Sequence, residues 1–421
     1  MASRRTFVVG VGMTKFEKPL TKKWDYPEMG SQAAADALRD AGLSYNDLQA
    51  AVASYCYGDP TCGQRALYEL GLSGIPVFNT NNNCSSASSA LMLARALVLS
   101  GYDCTIAVGF EKMERGLSEK FTDKTSPIKN HTDTLAVLGA DSKPLRHMNA
   151  VTSDIIKMFA YAARDHTTHH GTTLDQYAKV TYKNRKHGAM NDRACFQSPV
   201  TMDFIKSKRE LCHPITFPMS APTADGGAAA VVCSEEFVKR HNLQDKAVEI
   251  LSQHMVTDLP SSFGQSFLNL CGYTMSKQAA EKCLRDASIN INDVDIIELH
   301  DCFAPNELFL YEAFGLCPEG HGGKLIDGSK WIRNKNGGEL CVIGGRWIVN
   351  TSGGLESKGH PIGATGLGQC AELIWQLRGE AGKRQVDNAR IGLQHNFGIG
   401  GAVVVTLYGK YDRNNVPQAR L

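Results

Sequence analysis

Cys84 sits inside the run Asn79-Thr80-Asn81-Asn82-Asn83-Cys84-Ser85-Ser86-Ala87-Ser88-Ser89. Upstream, Ile75-Pro76-Val77-Phe78 is apolar and β-prone; downstream, residues 90–99 are rich in Ala and Leu and read as a helix that stops at Ser100-Gly101. The thiol is therefore expected at a strand-to-helix junction. There, unpaired backbone N–H groups and the positive end of the helix dipole favour a thiolate, which points to a nucleophile. The alternative for such a residue is a buried cysteine acting as a small hydrophobe. Three further turns carry reactive side chains. His300-Asp301-Cys302-Phe303 follows an expected strand at residues 294–299; a Gly-rich turn over residues 353–366 carries His360; and His395-Asn396-Phe397-Gly398-Ile399-Gly400-Gly401 forms the third. Histidines and a second thiol supply general acid and base groups near neutral pH. Turns at strand ends are where α/β sheets hold ligands. Each histidine alone reads as a structural hydrogen-bonder; together with two cysteine turns they point to a reaction centre.

The elements that must position these residues come in two copies. An opening strand at residues 6–12 leads to an amphipathic helix at 29–41 and a strand at 49–55. Leu38-Arg39-Asp40-Ala41 recurs as Leu284-Arg285-Asp286-Ala287, and at the same offset Asn46-Asp47 falls on Asn292-Asp293 and Cys56 on Cys302. The Cys84 turn, its helix and the strand at 104–109 are matched by the His360 turn, a helix at 365–378 and a strand at 389–393. Asp225-Gly226-Gly227 and Gly398-Ile399-Gly400-Gly401 each enter an apolar strand. Alternating strands and helices in duplicate predict an α/β protein of two layered βαβαβ-type halves. Residues 112–220 break the rhythm and are expected to be an inserted loop domain covering the site. The expected division is 1–111 and 221–246 for the first half, and 247–421 for the second with its polar tail.

Composition narrows the function. With 43% hydrophobic and 21% charged residues the chain is globular, and its 421 residues exceed one simple core. A net charge of +2 offers no footprint for nucleic acid. No apolar run is long enough to span a membrane. The 13 cysteines form no CxxC pairs, which suits free thiols in a reducing compartment. The run Lys183-Asn184-Arg185-Lys186-His187 offers Lys183, Arg185 and Lys186 as weak candidates for substrate phosphates, against the commoner reading of a solvated helix face. His166, His169 and His170 lack partners at ligand spacing, so no metal is expected. Neither a GxxxxGK[ST] loop nor a dinucleotide fingerprint opening a helix is present. The final Ala419-Arg420-Leu421 resembles the peroxisomal address Ser-Lys-Leu, read by an import receptor, so a peroxisome or related organelle is expected over mitochondrion or cytoplasm.

Asn82-Asn83-Cys84, His300-Asp301-Cys302-Phe303, Ser357-Lys358-Gly359-His360-Pro361 and His395-Asn396-Phe397-Gly398-Ile399-Gly400-Gly401 resemble the thiolase superfamily. More narrowly they resemble the thiolase part of sterol carrier protein X, over residues 6–410. The His-Asp-Cys-Phe turn is the specific mark, because many thiolases carry Asn-Glu-Ala-Phe there and a Cys-x-Gly turn near the last strand. No sterol-carrier segment follows, so lipid transfer is not expected.

The resemblance implies a thiolase fold, layered αβαβα, at least dimeric, and a 3-oxoacyl-CoA thiolase active in lipid or sterol side-chain β-oxidation. Straight-chain and 2-methyl-branched substrates are implied, with CoA as substrate and no tightly bound cofactor. Cys84 would be the nucleophile, His360 its base, and Cys302 the acid that protonates carbon 2 of the released enolate. His300 and His360 would donate to one oxyanion, the backbone N–H groups of Cys84 and the turn from Gly398 to Gly400 to another, and His395 would support the site. Two other readings stay open: a condensing ketoacyl-synthase-like enzyme using Cys84, His360 and His395, and a silent acyl-CoA or lipid-binding protein on the same scaffold.

Overall fold

The structure, a computed structural model, describes residues 4–113, 124–140, 142–143 and 153–411. Its strands are β1 (Thr6–Met13), β2 (Ala50–Ser54), β3 (Val77–Thr80), β4 (Cys104–Glu111), β5 (Glu210–Cys212), β6 (Ile215–Thr216), β7 (Gly226–Ser234), β8 (Val248–Val256), β9 (Ile296–Glu298), β10 (Lys330–Arg333), β11 (Glu339–Ile343), β12 (Trp347–Val349), β13 (Ile391–Gly398) and β14 (Ala402–Lys410). β5 and β6 pair only with each other; the rest form one sheet in the order β10-β11-β12-β9-β13-β14-β8-β1-β7-β4-β2-β3.

The duplication is visible in this order. β3-β2-β4-β7-β1 is parallel across its first two pairings and antiparallel across its last two. β12-β9-β13-β14-β8 repeats that pattern. The halves join where β1 meets β8 through Phe7 opposite Glu249 and Val8 opposite Val248. β10 and β11 extend the second half alone. β1, β4 and β7 are buried at every residue, which is why they read as unbroken apolar runs: both faces of the sheet are covered.

Two helices lie at the centre, Ser86–Leu99 and Thr365–Arg378. Leu91 and Val98 of one, Leu367 and Ile374 of the other, and Val52, Val232, Ile296 and Tyr408 of the two half-sheets share one core. The outer faces are covered by Tyr26–Ala41 on the first half and Tyr273–Ala287 on the second. The succession is helix, sheet, helices, sheet, helix. The first outer helix begins at Tyr26, earlier than residue 29, because Asp25 and Glu28 form a capping box. The short turns Tyr45–Asp47 and Ile291–Asp293 repeat one local solution, with Ser44 and Asp47 capping the first and Asn290 and Asp293 the second.

One difference matters for chemistry. The last parallel strand does not end at residue 393. β13 continues through Gly398, so His395 and Asn396 belong to a strand and only residues 399–401 turn into β14. Consecutive strand side chains point to opposite faces. No described helix is long and apolar enough to cross a membrane. Residues 112–220 hold the helices Lys129–Ala140, Asp154–His170, Leu174–Gly188 and Met202–Ser207 among their described parts. The terminal Ala-Arg-Leu lies outside the described residues.

Candidate active site

Cys84 stands between β3 and the helix that begins at Ser86. Asn83 before it takes a left-handed φ of +52°, a conformation Asn tolerates because its side chain bonds locally. The Asn83 carbonyl accepts from Ser86 N at 2.9 Å and Ser86 Oγ at 2.6 Å, which fixes the turn. The Cys84 thiol lies 3.7 Å from Asn83 Oδ1. The sequence reading expected a stabilised thiolate. The structure reverses that: burial pushes the Cys84 thiol up to about 12, and the Glu111 carboxylate adds to the rise. Desolvation outweighs the helix terminus here and favours the neutral thiol.

His360 stands beside Cys84. It follows the short helix Gly354–Lys358, and its backbone N–H donates to Pro222 O at 3.0 Å. Nδ1 lies 2.6 Å from Thr365 Oγ1, whose own proton goes to Pro361 O at 3.0 Å. Oγ1 therefore accepts from Nδ1–H, and Nε2 keeps a bare lone pair. Among the described residues Nε2 is buried without a hydrogen-bond partner. Burial holds the imidazole down to about 3, so it is neutral across the physiological range.

The His300–Phe303 turn leaves the end of β9. Ring-nitrogen atoms of His300 and His360 and the sulfur of Cys84 all lie within 4.8 Å of one another. His300 Nδ1 is 3.1 Å from Asn396 Nδ2, which makes Nδ1 an acceptor and puts the ring proton on Nε2. Burial, then His360 and His395, keep His300 well below the usual imidazole range. Cys302 is half-buried, and burial followed by the nearby Cys84 raises its thiol well above the ordinary value. Its carbonyl accepts from Ala221 N at 2.9 Å, which pins the turn. Between these two residues Asp301 is fully buried and accepts from Leu355 N at 2.7 Å and Asn184 Nδ2 at 2.9 Å. It ties the His300 turn to the helix that carries His360.

His395 lies behind His300. As the strand neighbour of Asn396 it faces away from Cys84. Its Nε2 donates to Ser276 Oγ at 2.9 Å, because the Ser276 proton is given to Gly272 O at 2.8 Å. Its Nδ1 accepts from His300 N at 3.5 Å. Both nitrogens are occupied, and through the second His395 braces the backbone of His300. Gly398 presses on the nucleophile turn: a Cβ there would overlap Asn82 O and crowd Ser85. Asn83 Nδ2 adds a bond to Ile399 O at 2.9 Å. Gly400, with φ +98°, lies in the hairpin turn beyond them.

The basic run is largely buried and is not a solvated face. Lys183 is buried, 2.7 Å from Glu307 and 2.9 Å from Val349 O. Arg185 is buried with its guanidinium 3.8 Å from the Phe196 ring centroid. Lys186 pairs with Glu339 at 3.0 Å over Trp331. Lys183 and Arg185 are therefore packed into the interior, and Lys186 is the least buried of the three. His166 is held between Thr172 at 2.7 Å and Glu312 at 3.0 Å, a satisfied core histidine. Sequence reasoning missed four supporting residues. Thr365 and Asn396 set the two imidazoles. Lys358 braces the His360 turn from a buried network with Ser352 at 3.0 Å and Glu298 at 3.5 Å. Glu111 accepts from Tyr57, Cys56 and Gly363 N–H groups at 2.9–3.0 Å, and burial pushes it up to about 7. Only Lys358 and Asn396 stood inside recognised motifs; Thr365 and Glu111 carried no signal of their own.

Comparison with known proteins agrees with this architecture. The family described as thiolase, N-terminal domain, matches residues 6–214, and thiolase C-terminal domain-like matches residues 266–409. Sterol carrier protein 2 of Homo sapiens is 50% identical over 411 residues, covering 96% of this chain and 72% of its own. Non-specific lipid-transfer protein-like 2 of Caenorhabditis elegans is 42% identical, covering 96% of both chains. The human mitochondrial 3-ketoacyl-CoA thiolase in complex with CoA superposes with a TM-score of 0.68 at 16% identity, over 98% of this chain and all of that one, which shows a common fold. Two family domains across one duplicated scaffold, with half of its residues shared with a curated relative, make the assignment: the chain belongs to the thiolase family of acyltransferases.

Proposed function

We propose that the protein is a 3-oxoacyl-CoA thiolase that cleaves straight-chain and 2-methyl-branched substrates with CoA, giving a shortened acyl-CoA plus acetyl-CoA or propanoyl-CoA. The observation that carries this reading is the convergence of the Cys84 sulfur with ring nitrogens of His300 and His360 within 4.8 Å, one imidazole bare at Nε2 and the other protonated there.

The steps balance. Cys84 attacks the ketone carbon while its proton passes to His360 Nε2. His300 Nε2–H donates to the developing oxyanion, an interaction of the kind worth about 10²–10³ in rate. Breaking the bond between carbons 2 and 3 leaves the electron pair on the acetyl- or propanoyl-CoA enolate, and Cys302 gives carbon 2 its proton. The thiol of CoA then attacks the acyl group on Cys84 and hands its proton to the Cys302 thiolate. His360 returns its proton to Cys84. Thiolates suit both roles because substrates and products are thioesters of similar energy. Backbone N–H groups of Cys84 and the turn from Gly398 to Gly400 are the donors we assign to the second oxyanion, and residues 112–220 the cover of the site.

The names of the relatives, sterol carrier protein and lipid-transfer protein, support a lipid or sterol side-chain substrate. Those lipid-handling names also fit a place of action in a peroxisome. A homodimer is supported by the edge strand β3, where Phe78 is 40% exposed on an unpaired side of the sheet. The condensing-enzyme reading is weakened by His395, whose nitrogens are both engaged.

The test is to incubate the protein with CoA and a series of straight and 2-methyl 3-oxoacyl-CoAs. Acetyl-CoA from the straight and propanoyl-CoA from the branched substrates are expected. Absence of cleavage at every length, with condensation of acyl carrier protein substrates, would transfer the assignment to a condensing enzyme.

A further inference from the structure

His300 is the last member of a directed chain of hydrogen bonds that begins 108 residues downstream, at Tyr408. The Tyr408 hydroxyl donates to Gln394 Oε1 at 2.6 Å. Gln394 Nε2 donates to Gly366 O at 2.7 Å and to Ser88 Oγ at 2.9 Å. A carbonyl oxygen only accepts, so Gly366 O fixes which end of the amide is nitrogen. Ser88 Oγ, having accepted from Gln394, donates its single proton to Asn396 Oδ1 at 2.9 Å. That fixes the Asn396 amide in turn, and its Nδ2 faces His300 Nδ1 at 3.1 Å. Tyr408, Gln394, Ser88 and Asn396 are all fully buried, so the chain lies away from bulk solvent. Gly366 makes the passage open: a Cβ there would overlap Ser88 Oγ and crowd Asn396 Oδ1.

The geometry of β13 explains the choice of residues. Gln394 and Asn396 are two apart and share the face toward the central helices, where Ser88 and Gly366 lie. His395 between them faces the outer helix through Ser276. One strand thus serves His300 from both sides, at Nδ1 through Asn396 and at the backbone N–H through His395.

We propose that Gln394 and Ser88 are positioning residues which, acting through Asn396, hold His300 as its Nε2–H tautomer, so that this ring can only donate into the site while His360 can only accept there. The proposal deepens the thiolase reading and rests on it for its effect on rate. The tautomer itself does not depend on turnover.

The test joins spectroscopy to kinetics. In protein labelled with ¹⁵N-histidine, long-range ¹H–¹⁵N correlations report which nitrogen carries the proton, and the His300 signals are identified by their loss in His300→Gln. Wild type is expected to show His300 protonated at Nε2. Asn396→Asp, which can only accept, is expected to move that proton to Nδ1. Ser88→Ala and Gln394→Met are expected each to lower kcat about tenfold or more with KM within about twofold, and the double variant to lose little beyond either single one, because the chain acts as a unit. Wild-type His300 protonated at Nδ1 would overturn the proposal, and needs no variant to fold. So would multiplicative kinetic losses, or variants that lower the melting temperature and leave kcat untouched. A protein with the expected tautomer and no thiolysis would refute the functional reading and leave the relay standing.

Discussion

His300 and His360 meet edge to face, ring centroids 5.2 Å apart and planes inclined by 80°. Their outer nitrogens are bound to unlike partners: Asn396 donates to one and Thr365 accepts from the other. Two identical side chains therefore present opposite polarity to Cys84. In the proposed thiolysis, a nucleophile activated by proton removal and an oxyanion formed by its attack need one acceptor and one donor, and we assign those parts to this pair.

Thr365→Val keeps the shape of the side chain and removes the acceptor for Nδ1–H of His360. Losing one buried hydrogen bond costs about 1 kcal/mol of stability, and a base free to change tautomer should lower kcat about tenfold or more. Thermal melting and steady-state thiolysis check both parts. Unchanged kcat would mean that Thr365 does not orient the base.

His360 is held down to about 3, below its ordinary value of 6.5, because burial penalises its charged form. A depressed value means the neutral form persists as pH falls, until about 3. The profile of kcat/KM should then show no limb with a midpoint near 6.5. Such a limb, present in wild type and caused by His360, would contradict the assigned environment.

His395→Gln should lower kcat less than about tenfold, whereas His360→Ala should lower it by about 10²–10⁴, the range for loss of a general base. Equal losses would place both histidines in the chemistry and favour the condensing reading.

Lys183→Met should destabilise the protein by about 3–5 kcal/mol in urea denaturation, since it removes the cation that partners Glu307 in the core. Lys183→Met with Glu307→Gln should recover part of that loss. The KM for CoA should stay within about twofold in any folded variant. A large rise in that KM would return Lys183 to the substrate.

The duplicated fold was legible because its signals are local. Leu38-Arg39-Asp40-Ala41 and its copy at residues 284–287 end the two outer helices, and the capped turns after them repeat at the same offset. The convergence of Cys84, His300 and His360 followed from recognising motifs, each a short turn at a strand end. What escaped was long-range or depended on an element boundary. The direction of His395 could not be read because its motif was taken as a turn; once β13 reaches Gly398, alternation sends it away from Asn396. Lys183 looked available because charge suggests solvent, and its partner Glu307 lies 124 positions away. The Cys84 value went the wrong way because a helix terminus is a local feature and desolvation is not. Partners such as Asn396 for His300 or Glu298 for Lys358 are set by strand order, which residue types alone do not specify.

The most direct measurement is intact-protein mass after exposure to acetyl-CoA, comparing wild type, Cys84→Ala and Cys302→Ala, alongside thiolysis of a 3-oxoacyl-CoA. The two-cysteine account predicts an acetyl adduct on Cys84 in Cys302→Ala with cleavage abolished, and neither adduct nor cleavage in Cys84→Ala. An adduct that survives in Cys84→Ala, or cleavage at the wild-type rate in Cys302→Ala, would contradict it.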